Sequence, residues 1–322
     1  MRLRPLFALL FALALAIPAT PVMLVPAMAQ EASDEMPPMP RPRPDPDNLP
    51  QVVDNQDTPA TDAIATLTSA PQPVTLSARI TQQGTPIPEG LVWRIFDTVP
   101  DASGELALVA KSELGAPMLE LPPGEYVVHV AYGRAQTSEP LSVVPGPNQR
   151  DFILDAGALR LNSAVTGDIS IPVNLLTFDV YTAGEENERA MVVEGLAPND
   201  IVTLNAGTYH IVSHFGDVNA VVRADLRVEA GQLTDATLYH HASQIGFKLV
   251  SETGGEAIAD VEWTVKTTEG ATVFSELGAF PEAVLAEGVY LVLAKQGSQV
   301  FSREFEVRPG AAREIEVLTT AM

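Results

Sequence analysis

From Val74 to the end of the chain, apolar and polar residues alternate with period two, in short runs broken by turn residues. Leu76-Ser77-Ala78-Arg79-Ile80 alternates and Gly84-Thr85-Pro86 interrupts it. Leu91-Val92-Trp93-Arg94-Ile95 alternates next, and the same pattern returns as Leu176-Thr177-Phe178-Asp179-Val180 and Val261-Glu262-Trp263-Thr264-Val265. Strict alternation predicts half-buried antiparallel strands. The aromatic at the centre of each of these three strands faces a core, and Asp179, Glu262 and Thr264 face outward. No segment carries a helical period with caps. Short strands with a turn signal every 8–12 residues predict β-sandwiches.

The strands recur in a fixed frame. Leu121-Pro122-Pro123-Gly124-Glu125-Tyr126, Leu204-Asn205-Ala206-Gly207-Thr208-Tyr209 and Leu285-Ala286-Glu287-Gly288-Val289-Tyr290 share the pattern L-x-x-G-x-Y at nearly even spacing. Each tyrosine is followed at one offset by a second glycine: Gly133, Gly216 and Gly297. Each unit closes on Val143-Val144-Pro145-Gly146, Val228-Glu229-Ala230-Gly231 or Val307-Arg308-Pro309-Gly310. Several landmarks in matching order in three places are an internal repeat. The first glycine of the frame (Gly124, Gly207, Gly288) is expected to turn the chain tightly into a strand. Tyr126, Tyr209 and Tyr290 are expected to bury their rings while the hydroxyl reaches a backbone group, as in a tyrosine corner. The repeats thus span 74–156, 157–243 and 244–322. Single residues such as Gly157 separate them, which predicts a limited hinge range.

Two segments precede the repeats. In residues 1–29, Arg2 and Arg4 lead the apolar run Leu6 to Ile17, and Ala27-Met28-Ala29 follows. That is the layout of a cleaved secretory signal. Pro18, Pro21 and Pro26 break the run too early for an uncleaved anchor, so no stable membrane insertion is expected after cleavage. Residues 30–73 are rich in proline, above all Pro37-Pro38-Met39-Pro40-Arg41-Pro42-Arg43-Pro44-Asp45-Pro46. Such a run favours extended chain and builds no core, so a disordered linker is expected. The fold class read from the sequence is therefore all-β: three tandem antiparallel β-sandwiches after a signal peptide and a proline-rich linker.

Composition then removes function classes. The 322 residues carry 19 Lys and Arg against 41 Asp and Glu, a formal charge of −22. A nucleic-acid partner needs a basic face, and anionic membrane docking needs a basic patch. Neither is expected. The chain has no cysteine, which excludes disulfides, thiolate catalysis and cysteine-ligated metals. The motifs G-x-S-x-G, H-E-x-x-H, G-x-G-x-x-G and the P-loop are absent, and no enzymatic activity or cofactor is expected. Of the histidines, His129, His210, His214, His240 and His241, three or four would have to converge to hold a metal. They read instead as exposed strand-face residues. Asp217-Val218-Asn219 resembles the start of a calcium loop but lacks its glycine and closing glutamate. A turn is the better account, and no metal site is expected.

The phrase from Leu121 to Val128 resembles the late strand of immunoglobulin-like or transthyretin-like bacterial modules: carboxypeptidase regulatory-like, Cna protein B-type and PEGA domains. The stretch Gly216 to Asp225 is similar to secreted alphaproteobacterial proteins, a resemblance that implies no particular activity. The modules imply stalks, spacers, or adhesive and carbohydrate-contacting domains. Cna protein B-type domains often cross-link a lysine to an asparagine or aspartate. The second repeat has no lysine, the third has Lys248 but Asp260 as its one aspartate, and the first has Lys111 alone, so no cross-link is expected. The resulting expectation is an exported, non-enzymatic structural or interaction protein of the periplasm or cell surface that binds a protein or envelope component. Its oligomeric state is left open. The competing expectation is a carbohydrate or small-ligand module with its site in the loops of the second repeat. The candidates there are Asp217, Asn219, Arg223 and Asp225, where that repeat departs most from its siblings.

Overall fold

The structure is a computed structural model and describes residues 69–319. Residues 1–29, expected to be a signal peptide, and residues 30–68 of the expected linker (30–73) lie outside the described residues.

The described chain is all-β, with one 3-10 turn at Val173–Leu175. The first repeat holds β1 (Gln72–Arg79), β2 (Leu91–Pro100), β3 (Leu106–Ser112), β4 (Met118–Leu121), β5 (Gly124–Tyr132), β6 (Ala135–Val143) and β7 (Asn148–Ile153). The second holds β8 (Ala156–Val165), the short β9 (Ile169–Ser170), β10 (Leu176–Thr182), β11 (Met191–Leu196), β12 (Ile201–Asn205), β13 (Gly207–Phe215), β14 (Ala220–Val228) and β15 (Leu233–His240). The third holds β16 (Ala242–Val250), β17 (Glu262–Thr267), β18 (Thr272–Leu277), β19 (Glu282–Ala286), β20 (Gly288–Gln296), β21 (Gln299–Val307) and β22 (Arg313–Leu318).

Each repeat is a two-sheet sandwich with one strand order. The four-stranded antiparallel sheets run β3-β2-β5-β6, β11-β10-β13-β14 and β18-β17-β20-β21. The facing sheets run β4-β1-β7, β12-β8-β15 and β19-β16-β22, with β9 added to β8 in the second repeat. In each facing sheet the first strand of the repeat lies between an antiparallel and a parallel neighbour: β1 pairs antiparallel with β4 and parallel with β7. The same holds for β8 and β16. A parallel pair needs a crossover between its strands; here the intervening strands of the repeat supply it.

The alternating strands bury the residues their pattern marks. Leu91, Trp93 and Ile95, then Leu176, Phe178 and Val180, then Val261, Trp263 and Val265 are all buried. Trp93 meets Phe152 edge-on at 5.5 Å, and Trp263 packs on Phe247 at 5.8 Å. A buried indole N–H needs an acceptor. Trp93 Nε1 donates to Leu114 O at 2.9 Å and Trp263 Nε1 to Gly278 O at 2.8 Å. Phe178, which has nothing to donate, fills the same place in the second repeat.

The three hexapeptides form identical corners. Tyr126 Oη donates to Pro122 O at 2.9 Å, Tyr209 Oη to Asn205 O at 2.9 Å and Tyr290 Oη to Ala286 O at 3.0 Å. The glycine has a different task from the one its turn propensity predicts. Gly124 and Gly207 begin β5 and β13 without a positive φ. A methyl on Gly124 would meet the Tyr126 ring at 3.8 Å, on Gly207 the Tyr209 ring at 4.0 Å, and on Gly288 the Tyr290 ring at 3.5 Å. Each is an ordinary packing distance, so the glycine lies beside the ring of the tyrosine two residues on, which packs against it. The left-handed turns fall at the later glycines: Gly133 at φ 62°, Gly216 at 67° and Gly297 at 58°. Removing one corner hydroxyl with Tyr209→Phe leaves the Asn205 carbonyl without that partner. A loss of about 1 kcal/mol is expected in urea unfolding.

Candidate functional site

Consecutive repeats meet through one recurring contact, and two of the four candidate residues of the second repeat, Asp217 and Asn219, lie at one of these joints. The hairpin after the tyrosine strand of one repeat (β5–β6, then β13–β14) seats on the strand that leads into the hexapeptide of the next (β12, then β19). In the first joint, Arg134 N donates to Thr203 O at 3.0 Å. The Asn205 carboxamide clasps the hairpin backbone: Gln136 N donates to its Oδ1 at 3.1 Å, and its Nδ2 donates to Gln136 O at 3.1 Å and Leu154 O at 2.8 Å. In the second joint the asparagine comes from the other side. Asn219, in the hairpin between β13 and β14, accepts from Ala286 N at 2.9 Å and donates to Tyr290 Oη at 2.9 Å. Tyr290 Oη itself donates to Ala286 O, so the corner hydroxyl of the third repeat both gives and receives.

Apolar side chains also cross this second joint. Val284 of β19 is buried in the hydrophobic cluster of the second repeat, and Val218 packs against that of the third. Gly216 lies beneath Val284 with no room for a side chain, since a methyl there would stand 2.8 Å from the valine. Gly157, read from the sequence as a separator, instead lies inside β8. Its bare Cα faces Glu229 O, which an added methyl would approach to 2.2 Å.

The four candidate residues do not share one place. Asp217 lines a cleft of about 450 Å³ at the second joint, with Gln244, Phe274, Glu276, Glu282 and Val284. Gln244 Nε2 donates to Glu282 Oε2 at 2.7 Å. No lysine or arginine lines this cleft, so its field disfavours anions. Asn219 is taken up in the joint. Arg223 and Asp225 are exposed on β14, opposite Val212 and His210 in the strand register. His210 Nδ1 lies 2.7 Å from Asp225 Oδ1, and His214 Nε2 lies 3.0 Å from Asp179 Oδ2. Among the described residues no group of His, Cys, Asp or Glu is arranged to hold a metal ion.

Two histidines depart from the expected exposed strand face: His210 and His240 are buried. His240 shares the inward face of β15 with Leu238, because residues two apart on a strand point the same way. Lys248 pairs with Glu314 at 3.0 Å and Glu316 at 3.1 Å. Asn205 was not singled out by the sequence reading. Its signal was the variable position of the hexapeptide, where the other copies carry Pro122 and Ala286.

Residues 244–319 match the family described as the Rhizobiales growth-associated tandem repeat domain. This is what the third repeat is similar to. No curated protein matches the chain. Among solved structures, the Bacillus anthracis TIE protein is 15% identical over 78% of this chain, with a TM-score of 0.24. The chain spans 50% of that protein's length. GBS52, the minor pilin of Streptococcus agalactiae, is 12% identical, with 52% of this chain and 95% of that one covered and a TM-score of 0.32. BcpA, the major pilin subunit of Bacillus cereus, is 11% identical, with 78% and 100% covered and a TM-score of 0.22.

The joint can be tested energetically. Asn219→Ala is expected to weaken the coupling of the second and third repeats by about 1–2 kcal/mol, because it removes two hydrogen bonds at a part-buried contact. In a double-mutant cycle with Tyr290→Phe, a coupling of about 1 kcal/mol is expected from urea unfolding. Strict additivity would mean that the two side chains do not cooperate.

Proposed function

We propose that this protein is an exported, non-enzymatic spacer of the cell envelope, whose stacked repeats hold a protein or envelope partner at a set distance. The observation that carries this reading is the pair of built joints. Asn205 and Asn219 each close a joint by hydrogen bonding, and Val284 of one repeat completes the core of another. Tandem repeats that share core and backbone contacts transmit length and resist bending, which loosely tethered modules do not. Export rests on the signal-like residues 1–29, and among the described residues no helix is long and apolar enough to cross a membrane.

Two measurements on the native host test the proposal. Fractionation should place the protein outside the cytoplasm and lose it there when residues 1–29 are deleted. Cross-linking in the intact envelope should then capture a stoichiometric partner. Small-angle scattering of the purified chain should give an elongated particle, and a profile with the radius expected for a single sphere would sink the spacer reading.

The acidic cleft at the second joint favours one other reading, a small-ligand module. An uncharged polyol or a cation suits a cleft walled by Asp217, Glu276 and Glu282 with an aromatic floor at Phe274. Glycan-array binding lost in Asp217→Ala, with thermal stability unchanged, would support it; an empty array would remove it.

A further inference from the structure

The second repeat differs from its siblings at the centre of its sandwich. Ser163 on β8, Ser213 on β13 and His240 on β15 are all buried, and they touch in a line. Ser163 Oγ lies 2.9 Å from Ser213 Oγ, and Ser213 Oγ lies 2.8 Å from His240 Nε2. The imidazole also meets the Phe215 ring edge-on at 5.7 Å. Strand register and the hexapeptide frame identify the matching positions in the first repeat as Ala78, Val130 and Leu154, all buried and apolar. In the third repeat, Leu249 and Ala294 replace the two serines. Where the first repeat carries three buried apolar residues, the second carries a hydrogen-bonded polar trio.

We propose that this trio is an acid-responsive lock: protonation of His240 opens the second repeat and loosens its joint to the third, while the flanking repeats stay folded. A neutral imidazole can accept from a serine hydroxyl, so the chain of two hydroxyls and a ring nitrogen satisfies itself. An imidazolium carries a donor at both nitrogens and a charge that the apolar surroundings do not solvate.

The groups around His240 give that charge no counter-ion. From β13 come Ser213 and the side chain of His214, whose own charge repels it. Asp179 of β10 pairs with His214, and among the described residues no ion pair to His240 is formed. From β8 come Ser163 and, at the paired register position, Val165. On its own strand, Tyr239 is turned outward to Asp168, and the next residue, His241, lies 3.5 Å from Glu287. Burial first, and the charge of His214 second, lower the His240 pKa to about 4.

The direction of the pH dependence follows. In the unfolded chain His240 binds its proton below its ordinary value near 6.5; in the folded repeat it does so only near 4. The lock is therefore at full strength above pH 6.5, and the second repeat loses stability as pH falls from 6.5 to about 4. The loss can reach about 300-fold in the folded-to-unfolded ratio. The joint lies next along the chain, because the carbonyl of His241 accepts Glu287 N at 2.8 Å.

Hydrogen exchange read by mass spectrometry on the full chain, corrected for intrinsic rates at pH 7.5, 6.0, 5.0 and 4.5, separates the repeats. The expected result is protection of residues 157–243 and of β19 that falls steeply below pH 6.5, against a shallow change in the first and third cores. His240→Leu, which installs the residue of the first repeat, should flatten that fall. If this single change does not fold, the triple variant Ser163→Ala, Ser213→Val, His240→Leu supplies the whole apolar set of the first repeat and should flatten it equally. A second repeat that loses protection in step with the other two overturns the proposal. So does an acid response that survives replacement of His240.

Discussion

Trp263→Ala is expected to cost the third repeat about 3–5 kcal/mol, the largest effect of any single truncation in that repeat. The side chain is wholly buried, packs on Phe247 and donates its indole N–H to Gly278 O. Its removal opens a void among residues that cannot close over it, and it leaves a loop carbonyl without its donor. Trp263→Phe should be far milder in packing, because Phe178 fills the matching place in the second repeat. The chain has two tryptophans, Trp93 and Trp263, so fluorescence can follow the first and third repeats separately. In Trp263→Ala the remaining emission comes from Trp93, and its urea midpoint should barely move. Circular dichroism on the same sample should show an early transition from the third repeat. A loss below about 1 kcal/mol would mean that this core tolerates a cavity and is packed less tightly than its burial implies.

The second large effect is expected at Gly216→Val. The residue sits at φ 67°, where a β-branched side chain is strained, and its new Cβ would stand 2.8 Å from Val284. Strain and displacement together should cost about 3 kcal/mol. Because Val284 lies in the core of the second repeat while its backbone belongs to the third, both transitions should shift. Gly297→Val is the matched control. Its φ is 58°, but nothing lies within 4 Å of the added Cβ, so only the backbone cost of about 1–2 kcal/mol remains. Equal effects at the two glycines would show that the joint yields freely to an inserted side chain.

The parts of this architecture that follow from short-range periodicity were legible in the sequence. Trp93, Phe178 and Trp263 lie where alternation puts them, and Gly133, Gly216 and Gly297 turn the hairpins. What alternation leaves out is the identity of a strand's neighbour. The parallel pairing of β1 with β7 depends on which edges meet after folding, and period two is the same for either direction. The first glycine of the hexapeptide reads as a turn residue because turns are its common use; that Gly124 and Gly207 instead open a strand beside a tyrosine ring depends on a contact two residues away. Asn219 stood out as a departure from the other copies, but the departure could not say whether the residue served a ligand or a neighbouring repeat. Asn205 makes the same point from the other side of a joint. The buried trio was half visible: Leu238 and His240 alternate with outward Tyr239, yet a histidine on a strand reads as a solvent-facing residue, and alternation alone does not say which face is the inner one.

The placement of Val284 has a kinetic consequence. Chains are synthesised and threaded through pores from one end, and domains commonly fold as they emerge. The first repeat needs nothing beyond Ala156, the first residue of β8, to complete its core. The second cannot complete its core from its own residues, because the valine that covers it arrives with β19, after its own last strand has already been made. Until then it stands with an open apolar patch, and the missing piece must come from the next repeat. Order of appearance thus becomes order of closure: the core of the middle repeat is complete only once β19 is in place.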